Sequence, residues 1–198
     1  MKLAVTFLQR EQAIAWLKDQ VSPQRLDHIL GVESTAMTLA AHYHLDTDAA
    51  ATAGLLHDLA KFFPPQKLLA IAKEHHLALD PVLETTPHLL HADVSAIVAQ
   101  QEFKVTDPDI LNGIRCHTLG SPAMSPLACV IFVADAIEPT RGNDPTLAKV
   151  RQVAPHNLYQ AVRMTCDYTL DYLVNHQKII HPRMILTRNW ALHREKET

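Results

Sequence analysis

A histidine and an aspartate, His57 and Asp58, are adjacent within the apolar stretch Leu55–Ala60. A buried carboxylate without a partner is unfavourable by several kcal/mol, so Asp58 needs a cation, a metal ion or several hydrogen-bond donors. We interpret the stretch as part of a buried helix, on which the two side chains project about 100° apart and can reach one metal ion. A hydrogen-bonded His–Asp pair in the core is an equally good interpretation of this dipeptide taken alone.

More polar residues of the same two types occur beside apolar neighbours elsewhere in the chain. His28 precedes the dipeptide and Asp135 follows it. His91 and His117 lie between the dipeptide and Asp135, at patterned helical positions. Two of these residues have ordinary alternatives, since His28 could be a half-exposed helix residue and Asp135 a core hydrogen-bond acceptor. Their order along the chain, with His first and Asp last, favours a shared metal site.

The composition supports metal binding through nitrogen and oxygen. The chain has 13 His and only three Cys, an odd number that is typical neither of a disulfide scaffold nor of structural zinc on sulfur. It has 21 acidic and 18 basic residues, for a net charge of −3, with no Lys/Arg-rich run. We therefore expect no duplex nucleic acid partner. A small phosphorylated ligand stays open, because two or three well-placed cations suffice to bind it.

The elements that must position these residues are predicted to be helices. With 198 residues the chain is long enough for one domain, and its five Gly and twelve Pro indicate helices joined by proline-marked loops. The segment 128–134 is short and β-branched, but no second run of this kind could pair with it, so we predict helix there too. We predict an all-α, single-domain fold with helices over 7–20, 23–44, 46–63, 65–77, 88–103, 107–118, 125–138, 145–154 and 156–177.

The ends of the chain carry less information. Met1–Thr6 begins like a signal peptide, but Gln9–Gln12 interrupts the apolar run too early, and no stretch is long enough to span a membrane. We expect a soluble, cytoplasmic protein without a membrane partner. The expected organisation is an N-terminal helix over 1–21, a main domain over 22–178 that contains the candidate metal site, and a C-terminal extension over 179–198.

The pattern resembles the HD superfamily of metal-dependent phosphohydrolases, which is named after an adjacent His-Asp. With His28 upstream and Asp135 downstream, the dipeptide becomes a specific signal. The stretches 53–61, 117–120 and 134–141 are similar to the bacterial YqeK-type subgroup, the HD-domain symmetrical diadenosine tetraphosphate hydrolases. The resemblance covers about residues 20 to 175 and implies an HD-domain helical bundle. The chain departs from the subgroup at Ser95, where Gly is expected, and at Leu119, where Thr is usual.

The resemblance implies six metal ligands, too many for one tetrahedral site but suited to two metal ions that share Asp58. Four imidazoles and two carboxylates suit iron, manganese or zinc better than magnesium or calcium, and the resemblance favours iron. The implied reaction is cleavage of diadenosine tetraphosphate, or a related dinucleoside polyphosphate, into two ADP by a hydroxide that bridges the metals. The six implied ligands are His28, His57, Asp58, His91, His117 and Asp135.

Cations near the metals are expected to hold the phosphates, because phosphoryl transfer depends mainly on positioning and charge stabilisation. Lys61, three residues after Asp58 on the predicted helix, and Arg141, beyond Pro139, are predicted to act in catalysis and substrate binding. Arg25 is a weaker candidate for substrate binding. For each of these cations the alternative is a solvated charge or an ion pair.

Two neighbours of these candidates could orient the site. Thr118 is predicted to contact the substrate or a metal ligand, and Glu138 to hold a ligand in place.

Two other functions stay open. One is a different HD-type nucleotidase, acting on a nucleoside monophosphate or a guanosine alarmone. It would share the four core ligands His28, His57, Asp58 and Asp135 but would not need His91 and His117 at this spacing. The other is a protein without catalytic activity, in which the metal site senses a nucleotide or holds the fold together. The sequence also leaves open whether the chain forms a homodimer.

Overall fold

The computed structural model describes residues 7–197, and within this range the chain is helical with no strand. The predicted all-α, single-domain fold is therefore confirmed. Residues 1–6 of the predicted N-terminal helix lie outside the described range. The helices are α1 (Phe7–Gln20), α2 (Pro23–His42), α3 (Thr47–Leu56), α4 (Pro65–Glu74), α5 (Pro81–Thr85), α6 (His91–Glu102), α7 (Pro108–Cys116), α8 (Pro126–Ile137), α9 (Pro145–Val153), α10 (Leu158–Asn175) and α11 (Pro182–Arg194), with short 3₁₀ helices at Pro87–Leu90 and Pro139–Arg141.

Proline and capping residues define where the helices begin. The hydroxyl of Ser22 accepts a hydrogen bond from the backbone N–H of Arg25, and Pro23 starts α2. The carboxylate of Asp46 accepts bonds from the N–H groups of Asp48 and Ala49 at the start of α3. These contacts satisfy backbone donors that have no partner within a helix, and both caps confirm the predicted starts.

Helix α8 is the centre of the core. Nine of its twelve residues are buried, so it is apolar on all sides, as expected of a helix that neighbours surround completely. Helices α2, α3, α7, α9 and α10 pack around it. The segment 128–134, which could be mistaken for a strand, lies inside this helix as predicted. Asp135 is therefore a charged residue in the last turn of an otherwise apolar helix.

The predicted helix over 46–63 is wrong beyond Leu56. The chain leaves α3 at this point and continues through turns, in which the N–H of Lys61 bonds to the carbonyl of Asp58 at 3.0 Å. The N–H of Ala60 donates to the hydroxyl of Ser95 at 3.0 Å instead of continuing the helix. Because Ser95 lies on α6, a contact between distant segments ends the helix, and His57 and Asp58 leave it in a tight turn.

Two peripheral helices are attached by polar contacts. Arg10 of α1 holds the buried carboxylate of Glu33 on α2 through two hydrogen bonds of 2.7 Å each. Helix α11 was not predicted from the sequence. It packs against α10, and its Thr187 hydroxyl donates to the carbonyl of Leu119 at 2.9 Å. Its signal was His181-Pro182, where a capping imidazole precedes proline at the first helical position. Over residues 7–197, none of the helices has the length and apolar character needed to cross a bilayer.

Candidate metal centre

Five separate segments deliver one buried cluster of histidines and aspartates. It contains a residue of α2, the two residues that follow α3, the first residue of α6, the residue that follows α7 and one in the last turn of α8. The structure thus brings all six predicted ligands together: His28, His57, Asp58, His91, His117 and Asp135.

Asp58 is central to this cluster. Its Oδ1 lies 3.4 Å from Nε2 of His91 and 3.5 Å from Nε2 of His117, and its Oδ2 lies 3.6 Å from Nε2 of His57. The side chain is 2% exposed. The carboxylate therefore presents its two oxygens to different imidazoles, with one toward the His91 and His117 pair and the other toward His57.

The cluster divides into two groups that share Asp58. Suitable ligand atoms of His28, His57 and Asp58 lie within 4.8 Å of one another, and so do those of Asp58, His91 and His117. Asp135 joins the first group, because its Oδ1 lies 3.1 Å from Nε2 of His28 and 3.9 Å from Nε2 of His57.

All four imidazoles present Nε2 to the cluster, because Nδ1 is engaged elsewhere. A carbonyl can only accept, so each Nδ1 that bonds to one carries the proton, and the neutral ring keeps its lone pair on Nε2. Three of the four histidines use the carbonyl three residues earlier as this acceptor. The contacts are His57 Nδ1 to Gly54 O at 2.7 Å, His91 Nδ1 to His88 O at 2.5 Å and His117 Nδ1 to Ile114 O at 2.8 Å.

His28 is the exception, since its Nδ1 donates to a carboxylate oxygen, Oε1 of Glu138, at 2.9 Å. Glu138 is fully buried and also accepts from the backbone N–H and the hydroxyl of Thr140, at 2.7 and 2.5 Å. Burial acts to raise the pKa of Glu138, but the bonds from Thr140 and His28 outweigh it and lower the pKa. Glu138 therefore holds the His28 ring as a charged acceptor.

Burial keeps the imidazoles of His57 and His91 neutral. It lowers the pKa of His57 to about 4 and, together with the nearby Lys61 charge, lowers that of His91 to about 3. Burial alone would raise the pKa of Asp58, but His57, His117 and Lys61 overcome it and hold this pKa well below its usual range. At neutral pH the cluster consequently combines the ionised Asp58 with the neutral rings of His57 and His91, the protonation states that ligate metals.

These residues fit a divalent metal centre. Nε2 of His28, Nε2 of His57 and Oδ1 of Asp58 are buried and have no hydrogen-bond partner. Such atoms are rare in folded proteins and need a cause, which a bound cation provides. The donor set of four nitrogens and two carboxylates is typical of a transition metal or zinc.

The three predicted cations all border the cluster. Nη1 of Arg25 donates to Oδ2 of Asp58 at 3.0 Å, a closer approach to the cluster than its weaker ranking implied. Nη2 of Arg141 donates to Oδ1 of Asp135 at 2.5 Å. Lys61 lies in the turn after α3, so its expected place on one helix face with Asp58 is wrong, yet its Nζ lies 3.1 Å from Nε2 of His91.

Thr118 and Ser95 complete the surroundings. The Thr118 hydroxyl lies 3.0 Å from Nε2 of both His91 and His117. Ser95, at which the chain departs from the expected Gly, supports the His57–Asp58 turn through Ala60. Its role was missed, because only the tertiary structure brings residues 60 and 95 together.

Two cavities open onto the cluster, and Arg141 lines both. The larger, of about 350 Å³, is also lined by His117, Asp135 and Tyr168. The smaller, of about 270 Å³, is also lined by His28. A ligand that crosses the cluster can therefore extend in two directions.

Comparison with known proteins identifies the family of the chain. The HD domain family matches residues 25–140. The protein named symmetrical bis(5'-nucleosyl)-tetraphosphatase of Bacillus subtilis is 38% identical over 93% of this chain and 98% of that protein, and its namesake from Halalkalibacterium halodurans is 34% identical over 96% and 100%. A Clostridium acetobutylicum structure, described as a predicted HD superfamily hydrolase involved in NAD metabolism, is 33% identical with a TM-score of 0.89 over 93% of this chain and 97% of that one. The chain is thus an HD-domain hydrolase and belongs with the symmetrical bis(5'-nucleosyl)-tetraphosphatases.

Proposed function

We propose that the protein hydrolyses diadenosine tetraphosphate symmetrically, giving two ADP, with two metal ions in the cluster. The observation that carries the proposal is the sharing of Asp58 between two groups of ligand atoms. The names of the relatives support this substrate, because they describe symmetrical cleavage of dinucleoside tetraphosphates. The similarity to these relatives extends over nearly the whole chain.

His28, His57 and Asp135 would hold one metal, His91 and His117 the other, with Asp58 common to both. The four nitrogens favour iron, manganese or zinc over magnesium. Among these, iron is the choice that the family resemblance implies. A bound pair of divalent metals supplies Lewis-acid stabilisation of phosphoryl oxygens and activates water as the nucleophile.

The chain itself positions the polyphosphate. Arg25 and Arg141 lie on the side of the cluster where the smaller cavity opens, and their guanidinium groups can each make forked contacts to phosphate oxygens. Arg25 is bonded to Asp58 and Arg141 to Asp135, so both positive charges would lie beside a phosphate bound at the cluster. Lys61 adds a third positive charge on the His91 side. The cations stabilise the charge that develops on the phosphoryl group and on the departing ADP.

A panel of substrates tests the reaction. Purified protein loaded separately with iron, manganese or zinc is incubated with diadenosine tetraphosphate, NAD, a deoxynucleoside monophosphate and a guanosine alarmone, and products are separated by chromatography. We expect ADP alone from diadenosine tetraphosphate. AMP together with ATP would contradict symmetrical cleavage, and preferential turnover of another substrate would favour a different HD-type nucleotidase.

The variant Asp58→Asn tests the shared ligand. It should lose metal and retain at most a few per cent of the activity, since it removes one charge from both groups. Asp48→Asn, at an exposed position at the start of α3, is the matched control and should retain activity. A chelated wild-type protein that unfolds instead of only losing activity would indicate a structural metal.

A further inference from the structure

The smaller cavity contains an aromatic side chain that the metal chemistry does not require. Phe62 lines it together with Arg25, Arg141 and Gln24, beside the ligand His28. Phe62 follows Lys61 directly in the chain, but its phenyl ring has no atom that could ligate a metal or pair with a ligand. Its place is therefore unexplained by metal binding.

Phe62 is exposed although its neighbour is packed. It is 53% exposed, whereas the next residue, Phe63, packs against the core and has the Lys67 ammonium 3.5 Å from its ring centroid. The turn that ends α3 determines this difference. It directs one phenyl ring inward and leaves the other at the mouth of a cavity with two guanidinium groups.

This combination is suited to a nucleotide. Guanidinium groups bind phosphate oxygens, and the face of an exposed aromatic ring is a platform for a base. A substrate that is cleaved at its centre has an identical nucleoside diphosphate on each side of the cleaved bond. It therefore needs two cavities that meet at the metals, and the two cavities that share Arg141 have this relation.

We propose that the smaller cavity binds one nucleoside diphosphate half of the substrate, with its base stacked on Phe62 and its phosphates on Arg25 and Arg141. The inference rests on the proposed function and specifies where one half of that substrate lies. The larger cavity, which Tyr168 lines, takes the other half. Phe62 is thus a substrate-binding residue outside the metal cluster.

The rival location for the base is a third cavity. It has a volume of about 440 Å³ and is lined largely by apolar atoms, with Tyr172 and Leu119 among its residues. Tyr172 is 50% exposed, nearly as much as Phe62, but no metal ligand lines this cavity. Tyr172→Ala is therefore a control matched in size and exposure.

The experiment measures ADP binding by calorimetry and turnover of diadenosine tetraphosphate in the metal-loaded wild-type, Phe62→Ala, Phe62→Trp and Tyr172→Ala proteins. Loss of a base-stacking ring should weaken ADP binding and raise KM by roughly tenfold to a hundredfold in Phe62→Ala. Phe62→Trp, which keeps an aromatic face for stacking, should bind ADP more tightly than Phe62→Ala. Tyr172→Ala should stay near wild type. Metal content, and inhibition by inorganic pyrophosphate, should be the same in all four proteins.

Several results would overturn the proposal. These are unchanged ADP affinity in Phe62→Ala, a loss confined to Tyr172→Ala, an equal weakening of pyrophosphate inhibition, or a change of oligomeric state that shows Phe62 to be a contact between two copies. Absence of diadenosine tetraphosphate turnover in the wild type would contradict the proposed function instead. ADP binding still reports on Phe62 in that case.

Discussion

Replacing Gly31 by alanine should damage the metal centre without touching a ligand. Gly31 lies in α2 one turn after His28, and a Cβ atom there would be 2.5 Å from Oε2 and 3.2 Å from Cδ of Glu138. Three hydrogen bonds hold this carboxylate, one from His28 Nδ1 and two from Thr140. The carboxylate must move away from the added methyl group, so at least one of these bonds is lost.

The expected magnitudes separate stability from metal binding. Overpacking a buried site costs about 1–3 kcal/mol, and exchanging Gly for Ala within a helix returns about 1 kcal/mol, so the free energy of unfolding should fall by at most about 2 kcal/mol. Loss of a residue that orients a metal-bound histidine typically lowers metal affinity or activity by about 10- to 100-fold. The fold should therefore survive Gly31→Ala while the metal that His28 would hold is lost first.

Metal titration of the chelated protein against a competing chelator measures both affinities. Gly113→Ala is the control, because it adds a methyl group in a buried helix 3.3 Å from Cγ1 of Ile131 and does not meet Glu138. Glu138→Gln removes the negative charge without adding the methyl clash, and it should weaken binding of the same metal ion, the one that His28 would hold. If Gly31→Ala binds two metals as tightly as the wild type, Glu138 does not position His28.

Three further predictions concern the charged groups. Arg141→Ala should raise KM for diadenosine tetraphosphate by about tenfold or more while metal content, measured by elemental analysis, stays constant; unchanged kinetics would remove Arg141 from phosphate binding. Lys61→Met should lower turnover and leave the metal content intact, whereas loss of metal would make Lys61 a structural support for His91. The metal-free protein should lose stability to urea as the pH falls from about 6.5 toward 4, because the unfolded state protonates His57 and His91 while their folded pKa values are about 4 and about 3. A flat stability profile over this range would show that these imidazoles are not buried as neutral groups.

The predicted site depended on residue types and spacing, which the sequence contains directly. Histidine and aspartate within apolar helical patterns must be buried, so they must find partners, and their order along the chain matched a known family. The helix ends were less predictable. Nothing near residue 57 marks the end of α3, because Ser95, which takes the Ala60 N–H, is 35 positions away. Likewise, the Arg25–Asp58 ion pair joins α2 to the turn after α3. Because these segments are distant in the sequence, the residues around Arg25 could not distinguish it from an ordinary surface charge.

The placement of the histidines at helix ends has a physical consequence for the ligands. The carbonyls of Gly54 and Ile114 lie in the last turns of α3 and α7, where few carbonyls have a partner within the helix. Each accepts the Nδ1–H of the histidine three residues later, and the Ile114 carbonyl also accepts the backbone N–H of His117 at 3.5 Å. One contact therefore both satisfies a helix terminus and directs Nε2 toward the cluster. His28 lies within α2, where the carbonyls of the preceding turn are used by the helix itself. Its ring needs an acceptor from another element, and the buried carboxylate of Glu138 provides it.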